Sequence, residues 1–312
     1  MNKYLLSILF LSVMITSNAQ DTIVNKWKNG RVSSKGLMLN GYETGLWKYW
    51  NKDGVLEQET MFKRGKVNGR VTFFFPGGKK KTETFFKRGV QDSIFREWYA
   101  SGIIKEQGWY KKGKKDSLWT SFNEDSTRSK ELFYKKNDTI LLQSYWASPL
   151  NQLVKDGNGH YVEMWPSTGK VKERGDYKNG LQHGAWEFFH QNGQLRARGN
   201  FEKGNRTGRW EMFYDDGKKS ELRNYDNGLN TFWYKNGQKQ MEGLILNSER
   251  DSTWTFWYES GQKSSQQSYV KGKKQGLQTK WYADGTKEAE VNYFEDLKNG
   301  KAAWWNTDGK ID

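Results

Sequence analysis

Three histidines, His160, His183 and His190, are the first residues to weigh for acid–base or metal chemistry. A metal site needs three or four ligands converging on one point. His183 and His190 are seven apart, an odd offset that turns strand residues to opposite faces. All three read as surface histidines. Carboxylates recur at Glu57, Glu59, Glu83, Glu106, Glu173, Glu221, Glu242 and Glu288. Cleavage of a glycosidic bond uses two carboxylates set apart from their surroundings. Nothing in the sequence separates one pair from this periodic background, so the carboxylates read as cross-strand partners of Lys and Arg. The absence of cysteine removes disulfides, thiolate nucleophiles, Cys-ligated zinc and a lipid-anchored Cys. No catalytic, cofactor or metal residue is assigned, and an enzyme acting on cell-wall carbohydrate is the least favoured reading.

Lysines gather at expected turns, in Lys79-Lys80-Lys81, Lys111-Lys112 with Lys114-Lys115, and Lys271 with Lys273-Lys274. Such residues protect sheet edges from aggregation. They also attract anionic surfaces such as lipid head groups or acidic polysaccharide.

The elements that must position these groups are set by a 24-residue repeat. Stepping from Trp50 gives Phe74, Trp98, Phe122 and Trp146; a short step leads to Trp165, then Phe189 and Phe213; another leads to Trp233, Trp257, Trp281 and Trp305. All twelve positions are aromatic. Ten of the twelve residues four places further on are Gly, among them Gly54, Gly193, Gly237 and Gly309. A second aromatic column runs through Phe62, Phe86, Tyr110, Tyr134, Tyr177, Phe201, Tyr225, Tyr269 and Tyr293. A second Gly column includes Gly65, Gly89, Gly113, Gly180, Gly204 and Gly272. A small-residue column follows at Gly69, Ser93, Ser117, Gly184, Gly208, Ser252, Gly276 and Gly300. One unit reads aromatic-x-x-Gly-x-x-x-Gly/Ser-x-Trp-x-x-aromatic-x-x-x-Gly, with about seven residues to the next ring.

Gly at this density opposes helix, each costing about 1 kcal/mol in a helix interior. Segments of five to eight residues rich in Trp, Phe, Tyr and Thr between turn signals have strand length and composition. Asp53-Gly54, Asn179-Gly180, Asn192-Gly193, Asp216-Gly217, Asn227-Gly228, Asn236-Gly237 and Asp284-Gly285 predict type I′ hairpin turns. The fold class is all-β: an elongated array of stacked antiparallel β-hairpins, about twelve units. Irregular turns are expected in the Trp165–Glu173 and Trp233–Glu242 units, and Pro149 is expected to break the sheet. The expected segments are residues 20–146, an irregular junction at 147–160, and residues 161–312.

The residue after each column ring yields the most specific binding hypothesis. If Phe213, Trp233, Trp257 and Trp281 face inward, then Tyr214, Tyr234, Tyr258 and Tyr282 face outward. They would form a ladder spaced by about 10 Å, two strand separations. Rows of exposed Tyr suit contacts with protein or sugar; the alternative is a second packed face.

The pattern Gly-x-x-x-Gly-x-Trp-x-x-aromatic-Tyr-x-x-Gly, clearest over Gly204–Gly217 and Gly180–Gly193, resembles the variant form of the MORN repeat common in bacteria. Many such proteins resemble the YwqK-like family, described as the antitoxin component of a toxin–antitoxin module. The resemblance implies a β-hairpin array without intrinsic catalysis, acting as a binding scaffold. A toxin is one partner it implies.

Residues 1–19 read as a signal peptide, with Lys3 as the basic start, Tyr4–Ile15 as the apolar stretch and cleavage between Ala19 and Gln20. The mature chain is then exported, to periplasm, cell surface or medium. Its net charge falls from +15 to +14 with the loss of Lys3. Expected partners are a protein or an anionic envelope surface, not nucleic acid, and no cofactor.

Overall fold

The computed structural model describes residues 21–311. The expected signal peptide, residues 1–19, and its cleavage site lie outside the described residues. The described chain forms 25 β-strands and no helix. It divides into two compact units: residues up to 128 with 134–137, and residues 129–133 with 138 onward. Within each unit, strands pair antiparallel with their neighbours in the chain, as in Tyr42–Trp50 with Leu56–Lys63 and Leu181–Phe189 with Leu195–Glu202. The 147–160 stretch holds the short strand Asn151–Lys155 and the start of Asn158–Met164. Pro149 does not break the sheet. It occupies the turn between Ile140–Ser148 and Asn151–Lys155, which still pair through Ser148 and Asn151.

Two kinds of connection alternate, and they correct the expected turn chemistry. The two-residue turns are Arg64-Gly65, Arg88-Gly89, Lys112-Gly113, Asn179-Gly180, Lys203-Gly204 and Lys271-Gly272, among others. Both residues have positive φ, for example 52° and 72° at Arg64 and Gly65. That is the type I′ signature. Of the dipeptides expected to form it, Asp53-Gly54, Asn192-Gly193, Asp216-Gly217, Asn236-Gly237 and Asp284-Gly285 instead lie in longer loops, with positive φ at Gly alone. In the first of these loops Gly54 N donates to Asn51 O at 3.0 Å and Asn51 N donates to Val55 O at 2.9 Å. In four of the five the Asn or Asp side chain accepts the N–H two residues on, as Asn192 Oδ1 does from Gln194 N, while at Asp53-Gly54 Asn51 Oδ1 accepts from Val55 N.

The small-residue column is not a turn. Gly69, Ser93, Ser117, Gly184 and Gly208 lie inside strands with φ between 60° and 116°. At Gly69 the register slips, since Thr60 opposes Val71 while Phe62 opposes Val67. These are β-bulges, which bend the strand and raise its twist.

The irregular turns are also relocated. The loop after Trp165 is one residue longer than its counterparts, Trp165 N donating to Lys170 O. The loop after Trp233 is regular, with Tyr234 N on Gln238 O. The missing residues of that unit are lost earlier, between Lys219–Asn224 and Gly228–Trp233.

The core of each unit is built on indoles, drawn from the Trp of the Gly/Ser-x-Trp element. Trp47, Trp119, Trp186, Trp210 and Trp254 are 0–4% exposed. Each lies flat on a glycine eleven residues earlier: Gly36, Gly108, Gly175, Gly199 and Gly243, where a Cβ would overlap the ring. Each indole N–H donates to the carbonyl after that glycine, at 3.0–3.2 Å. Where a side chain replaces the glycine, as at Thr60, Thr84, Gln267 and Val291, the residue eleven further on is Val71, Phe95, Gln278 or Ala302. At Gln267 the side-chain amide donates to Ser268 O, the carbonyl an indole would otherwise reach. The second aromatic column closes over each indole edge to face, as Tyr110 does on Trp119 and Phe201 on Trp210, both at 88°. Burying one indole removes roughly 150–250 Å² from water. At about 25 cal/mol per Å² that stabilises by up to ~4–6 kcal/mol.

Candidate functional site

Every member of the expected structural column is half-buried: Trp50, Phe74, Trp98, Phe122, Trp146, Trp165, Phe189, Phe213, Trp233, Trp257, Trp281 and Trp305. Most of them end a strand, and the register slips by one residue there, as between Met212 and Phe213 or Phe256 and Trp257. The bulge resets the in–out alternation, so the expected inward column is not the innermost layer. Trp165 also leaves the column. Met164 ends its strand, and Trp165 takes the place that Tyr214 takes elsewhere.

The slip gives the ladder a defined structural task. Tyr214, Tyr234, Tyr258 and Tyr282 are half-buried, and each hydroxyl donates to the carbonyl of the column ring in the next unit: Trp233, Trp257, Trp281 and Trp305, at 2.7–2.9 Å. Tyr99 does the same to Phe122 O, Trp27 to Trp50 O, and Trp165 to Phe189 O. His190 Nε2 meets Phe213 O at 3.0 Å in the same position. The ladder is therefore a row of inter-unit staples whose rings keep part of their surface in solvent.

On the face away from Trp186, register places Arg174, Glu187, Arg198 and Glu211 side by side on four successive strands. Arg174 and Arg198 each meet a carboxylate at 2.5 Å, Glu187 and Glu211 respectively, and Arg209 reaches Glu211 at 3.3 Å. With His160 these side chains wall an open groove of about 450 Å³. The Arg198 hydrogen bond, with the charges of Arg198, Lys219 and Arg209, holds Glu211 below its ordinary value against the opposing effect of burial. Each arginine of the groove has a carboxylate partner, with Glu211 shared by Arg198 and Arg209. His160 is paired with Asp176 at 2.8 Å, and His183 stands opposite Asp176 on the next strand. Among the described residues no three His, Asp or Glu side chains converge on a metal-sized site.

Two carboxylate pairs stand out only once the register is known. Glu97 lies opposite Glu106, and Glu163 opposite Glu173. Burial pushes Glu173 up, and the neighbouring Glu163 charge adds to it. Burial also pushes Glu163 upward, but its hydrogen bond from Lys172 and the charges of Lys130 and Lys172 bring it below the ordinary range. Lys172 Nζ is 2.9 Å from Glu163, and Lys130 Nζ is 3.1 Å from the Tyr161 hydroxyl. Glu163 and Glu173 are ten residues apart in the chain, and only the strand register reveals that they meet. Burial raises Tyr161 and Tyr177 strongly. Tyr49 is pushed up to about 12 by burial and by Glu43.

The Lys clusters named from sequence are largely engaged. Lys80 pairs with Glu83 at 2.7 Å, Lys115 with Glu106 at 3.1 Å and Lys273 with Glu295 at 3.4 Å. Lys79 donates to Ser101 O, and Lys274 stacks over Tyr293. The expected pairing of strand carboxylates with basic neighbours is also seen in Lys48–Glu59 and Lys239–Glu242.

Hairpins of one design, joined through two alternating turns and a shared aromatic core, define a β-hairpin repeat protein. Residues 43–64, 182–203, 206–227 and 250–271 match the MORN repeat variant, each match running from just past one tight turn to the next. No curated protein matches the chain. Among solved structures, a crystal structure of TcdB2–TccC3 with Cdc42 is similar at 12% identity over 91% of this chain and 19% of that one, with a TM-score of 0.17. The Photorhabdus luminescens Tc holotoxin pore is similar at 12% identity over 93% and 18%, with a TM-score of 0.17. The chain spans less than a fifth of the length of either. At that TM-score the likeness carries no weight for fold or function.

Proposed function

We propose that the chain is an exported, non-enzymatic scaffold that binds a protein partner or an anionic envelope surface by repeated shallow contacts along its units. The observation that supports this is repetition itself. One side-chain arrangement recurs with a 24-residue period, so a contact made by one unit is available again at the next. Weak contacts linked in this way add to avidity. The ladder of Tyr214, Tyr234, Tyr258 and Tyr282 is the contact row, acting through its ring surfaces because its hydroxyls are committed to carbonyls.

The test is capture from an envelope extract by the full mature chain, with Tyr234→Phe/Tyr258→Phe and Tyr234→Ala/Tyr258→Ala as comparisons. Retention by the Phe variant and loss by the Ala variant is the expected result. A mature chain that retains no protein, glycan or lipid contradicts the proposal. Terminal sequencing of the cell-fractionated protein tests export, with Gln20 expected first.

A further inference from the structure

Lys and Arg outnumber Asp and Glu by 25 to 13 in residues 21–137, but only by 25 to 23 in residues 138–312. The excess sits at one place in the repeat. Four successive units carry a dibasic dipeptide, each 24 residues after the last: Lys63-Arg64, Lys87-Arg88 and Lys111-Lys112 enter a two-residue turn, and Lys135-Lys136 begins the longer loop after Arg128–Tyr134. All eight side chains are exposed, and none makes a hydrogen bond, ion pair or ring contact. All eight belong to the first compact unit. The same slots in the second unit read Lys178-Asn179, Glu202-Lys203, Asp226-Asn227, Leu246-Asn247 and Val270-Lys271. Edge protection acts on unpaired edge strands. The first three of these turns join strands that are already paired on both sides.

Two features make this row a built surface. Arg64, Arg88 and Lys112 have φ near 52°, the first central position of a type I′ turn, where Asn, Asp or Gly is favoured. The second unit uses Asp156, Asn179, Asn247 and Glu295 there beside Lys203 and Lys271, whereas the first, past Asn40, places cations at three successive turns at that backbone cost. The turns are also fixed to the preceding hairpin, as they are in the second unit at Gly204 and Gly272. Gly65 N donates to Glu43 O, Gly89 N to Val67 O and Gly113 N to Gln91 O, at 2.7–3.0 Å. The backbone of these three turns is therefore held at a set spacing.

Resting on the proposed binding role, the geometry points to the ligand class: a linear acidic glycan, carrying carboxylate or sulfate, laid along these four turns. Consecutive turns are two strands apart, about 10 Å, so the row is roughly 30 Å long. Strand twist of about 20–25° per step rotates the fourth turn by roughly 120–150° from the first. A flat membrane meets one or two turns of such a path, whereas a flexible chain follows all four. Duplex DNA presents a charge about every 1.7 Å, far finer than this row, whereas every second acid group of an extended polyuronate falls near its spacing. Arg pairs carboxylate or sulfate through two parallel hydrogen bonds. Trp109, 50% exposed and two residues before Lys111 on the same strand face, offers a ring for a sugar to stack on.

The experiment titrates fluorescent oligogalacturonate against the full mature chain. It compares K63Q/R64Q/K87Q/R88Q with K178Q/K203Q/K271Q/K301Q, which removes equal charge from the second unit. The first variant is expected to lose at least tenfold in affinity with a shallower salt dependence, and the second less than threefold. K63R/K87R is expected to bind like the parent. Thermal unfolding of each variant verifies the fold. Equal loss in both Gln variants, no glycan binding by the parent, or tighter binding to phosphatidylglycerol vesicles than to glycan through the same turns overturns the inference. A parent chain that ignores glycan yet captures an envelope protein overturns the glycan inference alone and leaves the scaffold reading standing.

Discussion

The two compact units share one hairpin design and spend their charge differently. In the second unit cations are paired on the sheet face, as in the Arg174–Glu187 and Arg198–Glu211 row. In the first, the surplus stands unpaired at the tight turns. Their cores differ in the opposite sense. The second unit stacks Trp186 and Trp210 on successive hairpins and loses the indole only later, at Gln278 and Ala302, whereas the first interrupts its indoles with Val71 and Phe95 between Trp47 and Trp119. Fold and surface are thus written by separate positions in the repeat. The core uses strand interiors, and charge at the turns is free to vary without disturbing them.

The largest expected effect breaks the core half of that comparison. Trp210→Ala removes a fully buried indole and its hydrogen bond to Asn200 O, and should destabilise the second unit by about 3–5 kcal/mol. Val71→Ala in the first unit should cost less. Hydrogen exchange resolved by segment checks both, and equal losses would erase the distinction. Gly199→Ala is next, at about 1–3 kcal/mol, because its Cβ overlaps the Trp210 ring. The loss should vanish in a Trp210→Val background, which recreates the Thr60–Val71 arrangement; a double-mutant cycle in denaturant measures it. An unchanged cost would mean that glycine is kept there for its backbone and not for the indole.

Tyr234→Phe deletes one staple to Trp257 O and should cost about 0.5–1.5 kcal/mol in a thermal or denaturant melt. A neutral result would reduce the ladder to ring contacts. The smallest effect is on the alkaline limb. Tyr49 ionises near pH 12 when folded and near pH 10 when unfolded, so the unfolded chain binds fewer protons between those values. Stability is full below about pH 10 and falls as pH rises towards 12. Tyr49→Phe should flatten that limb in a pH series of melts.

The repeat, the all-β class and the two-turn rhythm were legible in sequence because Gly and aromatic residues recur at fixed intervals. The misreadings share a cause. Asp53-Gly54 and Arg64-Gly65 look like a strong and a weak turn signal, yet only the second is type I′, since loop length and not the dipeptide decides the turn. Strand alternation placed Phe213 inside and Tyr214 outside, but a one-residue slip at Phe213 cancels the alternation there. The Gly199–Trp210 spacing of eleven is visible in the chain, but only pairing shows that the two touch. The dibasic turns were equally visible as a period of 24. Counting charge over the whole chain concealed them, because a net +15 hides a half that is almost neutral.

Lysine footprinting of the full chain with and without oligogalacturonate tests the division of labour most directly. Acetylation should be slowed at Lys63, Lys87, Lys111, Lys112, Lys135 and Lys136 and unchanged at Lys178, Lys203 and Lys271. Protection spread evenly over both groups, or confined to the second, would contradict a scaffold that holds its ligand on the turns of one unit.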